Sequence, residues 1–504
     1  MTGQIDDTGL AEAITRYLDA NWQGVTDPTL LSLVRIHGGA SRETYAIDVQ
    51  FTENGARTEK GLILRRDPAG SLIDTDRKIE FAAIQSMAGT DLPVPQALFL
   101  ETGDAALGAP FFIMERIDGG EALNPFRIED VEPHRTEIGR QFFRHLGTIA
   151  RVPAEGSPLA AVTDIPDPAL CWRRELDYWA TEIRSKAQRA EPIAEAAIRY
   201  LKANPPPPAQ RLSIVHGDYR SGNFLHDGAG KINALLDWEM AHIGDPYEDL
   251  AWATDPLWCN NDTERAAGYL PWPDALAAWQ AASGCQFDPA AFEWWSIFSH
   301  VKAIGIWISS AHAFIQGDND DPILAWSGWF THAAHELTIA SRLAPKFGLD
   351  LPSEETPKEP APLSGTGLIL DRIGRKLVTE VTPQLEGHYA GGHTAVSGLM
   401  AVMAGEAWDS AADRRHREIE AMRAVLESAG EPASETAPSL KLSDLDVLRN
   451  QFAERLSSLQ ARVENSGDPG DKALNMRIWI LLLMGAAERM PSHPDFPAPE
   501  DEPH

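Results

Sequence analysis

In the first part of the chain, apolar residues come in short runs separated by turn residues. This spacing constrains the fold more than any other feature. Leu33–Ile36, Thr44–Phe51, Leu62–Arg66, Ala97–Glu101 and Phe111–Arg116 read as strands, because runs of this length bounded by turn-forming residues suit a half-buried pleated surface. One helical pattern, Arg77–Ala88, interrupts them. From about Val131 helical spacing takes over, broken by three strand-like runs, Ser213–Val215, Phe224–His226 and Ile232–Leu236. A strand-rich lobe followed by a helical lobe with a small β insertion is an α+β arrangement.

The stretch LPSEETPKEPAPLSGTG, Leu351–Gly367, is rich in Pro and Glu without apolar periodicity and reads as a linker. Beyond it Leu370, Ile373, Leu377, Val381 and Leu385 recur at steps of three and four, as do Leu445, Leu448, Phe452, Leu459 and Val463. These stripes predict a separate all-α bundle of four or five helices packed on those residues. The expected division is 1–118 for the β-rich lobe, 119–350 for the helical lobe, 351–366 for the linker, 367–490 for the bundle and 491–504 for a disordered tail.

Lys and Arg number 44 against 74 Asp and Glu, a net charge of -30. That balance argues against nucleic acid and anionic membrane as partners. Cys171, Cys259 and Cys285 are odd in number, far apart and outside any C-x-x-C, so they suggest reduced cytoplasmic thiols rather than a disulfide framework or a zinc site. The start MTGQIDDTGL is acidic where a secretory signal is basic and apolar, and the longest apolar run, Ile478–Ala487, is too short to cross a bilayer. The expectation is a soluble, cytoplasmic protein.

The chemistry is concentrated in VHGDYRSGNFLHDGAGKINALLDWE, Val215–Glu239. Asp218, presented on a turn beside a hydroxyl, could orient it and accept its proton, while Asn223 and Asp237 offer hard oxygen ligands. Magnesium suits such a pair, since it needs only one or two protein oxygens and completes its shell with water and phosphate. The pattern points to phosphoryl transfer. The alternative is an ordinary His-Gly-Asp turn with a strand-end carboxylate.

HGDYRSGN, LLDWE and GDPYEDLAW resemble the catalytic loop, metal-binding segment and following helix of the aminoglycoside phosphotransferase and choline kinase superfamily. The wording is closest to the kinase-like domains found with acyl-CoA dehydrogenases. The resemblance covers about residues 25–345 and implies a bilobal protein-kinase-like fold, with ATP held by the N-terminal lobe and the catalytic loop on the helical lobe. It implies Asp218 as catalytic base, Asn223 and Asp237 as magnesium ligands, and His216 and Asp249 as supports of the loop. HGGASRETYAID corresponds to the loop over the phosphates, with Gly38 and Gly39 allowing close approach and Ser41 donating to a phosphate oxygen. FFIMERIDGG corresponds to the hinge, where adenine would meet the carbonyl of Glu115 and the amide of Ile117. In LILRRDP the sequence departs from the family: Arg65 stands where a phosphate-pairing lysine is usual, with Glu80 as its implied partner. Arginine still binds phosphate, through a planar fork rather than a point charge.

The implied activity is ATP- and magnesium-dependent transfer of a phosphoryl group to a small-molecule hydroxyl, on a hydroxyacyl thioester, an amino alcohol or an aminoglycoside. The alternative, for which Arg65 speaks, is a nucleotide-binding regulator that has lost transfer and recruits a partner through the bundle. Self-association is a further use for that bundle. Trp294, Trp295, Trp307, Trp326 and Trp329 lie on helical patterns and read first as core.

Overall fold

The computed structural model describes residues 7–36, 43–67, 77–124, 128–259, 262, 264–349, 363, 365–385, 389–492, 494 and 496. The chain folds into two compact units, each discontinuous in sequence. One comprises Met1–Glu175 and Pro205–Ser299, the other Leu176–Asn204 and His300–His504.

In the first unit a helix, α1 (Asp7–Asn21), precedes an antiparallel five-stranded sheet. Its strands are β1 (Val25–Ile36), β2 (Glu43–Glu53), β3 (Ala56–Arg66), β4 (Ala97–Glu101) and β5 (Phe111–Glu115), in the order β1-β2-β3-β5-β4. The period of two is clearest in β2, where Tyr45, Ile47, Val49 and Phe51 are buried and alternate with less buried residues. They pack with Leu10, Ile14 and Leu18 of α1 and with Leu62 and Leu64 of β3. Full burial of each aliphatic side chain contributes roughly 1.5–3 kcal/mol. Asn54 (φ 50°) and Gly55 (φ 79°) join β2 to β3, and two consecutive positive φ angles suit the twist of a two-residue hairpin. A helix, α2 (Arg77–Ser86), turns Glu80 and Phe81 inward.

The helical part of this unit carries three small sheets, one of them the pair Arg265–Ala266 and Leu270–Pro271. Glu121–Ala122, Phe224–His226 and Ile232–Leu235 form the second, Ser213–Val215 and His242–Gly244 the third. The segment from His216 to Asn223 therefore leaves a strand of the third sheet and enters a strand of the second, which holds both its ends. The N-terminal β sheet and the helical remainder make the α+β, protein-kinase-like architecture.

In the second unit, Leu442–Val463 buries Leu445, Leu448, Phe452, Leu459 and Val463, as its apolar spacing predicts. Gly365–Lys376 differs from the expected stripe. It buries Gly367, Asp371 and Gly374, and leaves Ile373 50% exposed. The reason is backbone contact: a Cβ on Gly367 would lie 2.7 Å from the carbonyl oxygen of Gly405, and one on Gly398 would lie 2.8 Å from that of Gly374. Glycines on facing helices let the two backbones touch, and that contact displaces the bulky apolar face outward. Among the described residues, no helix is long and apolar enough to cross a membrane.

Candidate active site

Strand Ser213–Val215 delivers His216 and Gly217 into a turn fixed by one buried carboxylate. Asp249 Oδ2 accepts the His216 backbone N–H at 2.6 Å, and Oδ1 accepts that of Gly217 at 2.9 Å. The His216 ring packs at a tilt against Trp238, 4.4 Å between ring centroids. Its Nε2 meets the Leu236 carbonyl at 3.0 Å and its Nδ1 meets the Asp218 N–H at 3.2 Å. Those partners assign the proton to Nε2 and leave Nδ1 as acceptor. Burial holds the His216 pKa below its ordinary value although Asp249 opposes it, so the ring stays neutral as this pairing requires. Burial also raises the Asp249 pKa, against the pull of His216 and the two N–H groups.

Gly217 has φ 83°, and a Cβ there would drive into the Met240 carbonyl. Left-handed strain and a backbone clash act together, so Gly217→Ala should cost roughly 2–5 kcal/mol. A urea titration checks this: the midpoint falls while the slope stays unchanged.

The turn presents Asp218 with both carboxylate oxygens engaged. Trp252 Nε1 donates to Oδ1 at 2.8 Å and Arg220 Nε to the same atom at 3.0 Å. Asn223 Nδ2 donates to Oδ2 at 2.6 Å and to the Asp218 carbonyl at 2.8 Å. The Arg220 guanidinium lies 4.7 Å from the ring centroid of Trp258, a cation–π contact that fixes its direction. Asn223 is buried, and its Oδ1 accepts no hydrogen bond from the described residues.

Asp237 follows strand Ile232–Leu235 in a left-handed conformation, φ 68°, with its side chain 39% exposed. Opposite it stands Arg65 of β3. Arg65 pairs with the buried Glu80 of α2, with Asp237 Oδ1 at 3.1 Å and with Glu239 Oε2 at 3.5 Å. Burial opposes the Arg65 charge, but Glu80, Asp237 and Glu239 outweigh it and raise its pKa. Burial likewise pushes the Asp237 carboxyl up, and Arg65 with Arg220 brings it below the usual carboxylate range. One guanidinium thus links strand, helix and the segment after strand Ile232–Leu235. Arg66 points the other way and pairs with Glu43 at 2.9 Å.

Asp218, Asn223, His216 and Asp249 therefore share one hydrogen-bonded network, and Arg65, Glu80 and Asp237 form a second cluster. Glu115 ends β5, its N–H bound to the Gln96 carbonyl at 2.9 Å, and the Ile117 amide makes no hydrogen bond to the described residues. Gly38, Gly39 and Ser41 lie outside the described residues. Sequence reasoning assigned no role to Arg220, Trp252 or Glu239. The first two flank the Asp218 carboxylate, and their only signal was position: Arg220 lies inside HGDYRSGN and Trp252 ends GDPYEDLAW.

The profile of the phosphotransferase enzyme family matches residues 32–295. Mouse acyl-CoA dehydrogenase family member 10 is 28% identical over 246 residues, covering 48% of this chain and 22% of that protein. Viomycin phosphotransferase of Streptomyces vinaceus is 28% identical over 179 residues, 33% of this chain and 58% of that one. This chain thus spans only part of the length of either relative. The solved structure of a Ralstonia eutropha protein named as an aminoglycoside phosphotransferase has the same fold: TM-score 0.50, 20% identity, 63% of this chain and 93% of that one.

Proposed function

The chain belongs to the phosphotransferase enzyme family, and from that membership we propose that it transfers the γ-phosphoryl group of ATP to a hydroxyl of a small molecule. The observation that carries the reading is the Asp218 carboxylate, held by three donors from Trp252, Arg220 and Asn223. With two donors on Oδ1 and one on Oδ2, Oδ2 keeps a lone pair for the acceptor hydroxyl. Asp218 orients that hydroxyl and takes its proton as the oxygen attacks phosphorus. Arg65 grips phosphate oxygens on the nucleotide side, and Glu115 and Ile117 bind adenine through backbone groups.

The donor set fits magnesium: an amide oxygen that accepts no hydrogen bond from the described residues, Asn223 Oδ1, and a carboxylate held ionised by Arg65 and Arg220, Asp237. Magnesium, when bound by these two residues, neutralises charge on the phosphates. Asp237→Ala should abolish the magnesium-dependent part of ATP affinity and spare the rest. Titrating ATP with and without magnesium measures that difference. An unchanged magnesium effect would remove Asp237 from the ligand set.

Viomycin phosphotransferase and the acyl-CoA dehydrogenase relative direct the search for the acceptor. An ATP-consumption screen over amino alcohols, aminoglycosides, sugars and hydroxyacyl thioesters tests the reading, and ATP binding with no turnover on any of them would sink it. The three carboxylates already around Arg65 favour a second reading, a regulator that binds nucleotide without transferring phosphate. Turnover in the same screen excludes it.

A further inference from the structure

The second unit encloses a cavity of about 820 Å³ lined only by its own residues, within the range of small-molecule sites. Seven arginines and five carboxylates line it, an excess of cations in a chain whose net charge is -30. Five of the seven arginines are matched by carboxylates. Arg189 pairs with Glu191 and Glu336, each at 3.0 Å, Arg489 pairs with Glu336 at 3.2 Å, and Arg449 holds Glu418 through two bonds of 2.7 and 3.0 Å. His332 lies 3.3 Å from Glu191. Nearer solvent, Arg415 pairs with Asp446 at 2.6 Å and Arg417 with Glu488 at 3.6 Å.

Two guanidiniums are left over. Arg414 donates only to the carbonyls of Glu488 and Ala407, both at 3.2 Å, and Arg477 only to Ser428 Oγ at 3.0 Å. Among the described residues, no carboxylate lies within ion-pair distance of either. Burial lowers the Arg414 pKa, and so does its neighbour Arg415, against the more distant pull of Glu488. The rest of the wall is apolar: Ile308, Trp329, Val425 and Leu481 line it, with Ile315 and Met484, each 60% exposed, also on its boundary.

Cations without partners beside an apolar wall call for a ligand with the opposite charge at one end only. We propose that this cavity binds an anionic amphiphile, its carboxylate or phosphate head on Arg414 and Arg477 and its apolar body along Trp329 and Leu481. Arginine forks suit both head groups, and the neutralised network behind them keeps a second anion from being required.

The test is fluorescence titration of the full chain with dansyl-aminoundecanoic acid, followed by displacement with dodecanoate, dodecyl phosphate and dodecanol. The native protein should bind the probe saturably and release it to both anions at concentrations about tenfold below those needed with dodecanol. The stronger of the two anions identifies the head group. Saturating ATP with magnesium should leave the probe bound. Arg414→Gln and Arg477→Gln should each weaken dodecanoate severalfold and leave dodecanol unchanged. Arg477 is exposed, so its variant decides if Arg414→Gln fails to fold. Absence of saturable binding, equal potency of dodecanol, displacement by ATP, or native dodecanoate affinity in Arg477→Gln would each overturn the proposal.

Discussion

Asp218→Asn should lower turnover about a hundredfold to ten-thousandfold, the range of a lost general base. Nucleotide affinity should change little, which separates loss of chemistry from loss of binding. The asparagine retains an oxygen for the Trp252 and Arg220 donors, but its amide nitrogen faces Asn223 Nδ2, a donor against a donor. Asn223 is still held by the Asp218 main-chain carbonyl at 2.8 Å, so the loop keeps its course. Steady-state kinetics beside a nucleotide-binding titration decide the matter. Native turnover in the mutant would remove Asp218 from the chemistry.

Arg65→Ala should be the most destabilising change at the site. It strips the guanidinium from Glu80, whose side chain is 1% exposed, and from Asp237 and Glu239. Uncompensated buried charge costs about 3–5 kcal/mol. Arg77, 3.7 Å from Glu80 Oε2, relieves part of it. Arg65→Lys keeps the charge, yet a single ammonium cannot copy a planar fork reaching three carboxylates. Its urea midpoint should lie between those of the native protein and the alanine variant, and its ATP turnover should fall. If Arg65→Lys instead turned over faster than the native protein, arginine would not be the phosphate clamp.

The parts of this architecture legible in the sequence are those set by short-range physics. Residues 215–239 form strand, turn, strand, turn, strand and a last turn in unbroken order, so the types and spacing of Asp218, Asn223 and Asp237 already carried the chemical suggestion. The alternation in β2 needed only a period of two. What was not legible depended on distant partners. Trp252 reaches Asp218 because a buried helix, Tyr247–Ala253, carries it there, and nothing local to either residue encodes that contact. Three carboxylates converging on Arg65 come from α2 and from the segment after Leu235, so no single window showed them. Ile373 was assigned inward because periodicity identifies a stripe, whereas burial of Gly374 depends on a facing helix that is also glycine-lined.

The interleaving of the two compact units also sets an order of events on the ribosome. Helix Pro192–Ala203 buries Ile193, Ile198 and Leu201 within the unit completed by His300–His504, and it packs against Leu442–Val463. Translation must add about 240 residues between the two helices, roughly 10–50 s at ordinary elongation rates. During that interval the apolar face of the earlier helix has been synthesised without its eventual neighbour. A chaperone that shields nascent chains would act on this segment, and ribosome profiling of chaperone-bound nascent chains would show its release only after the later helix has emerged.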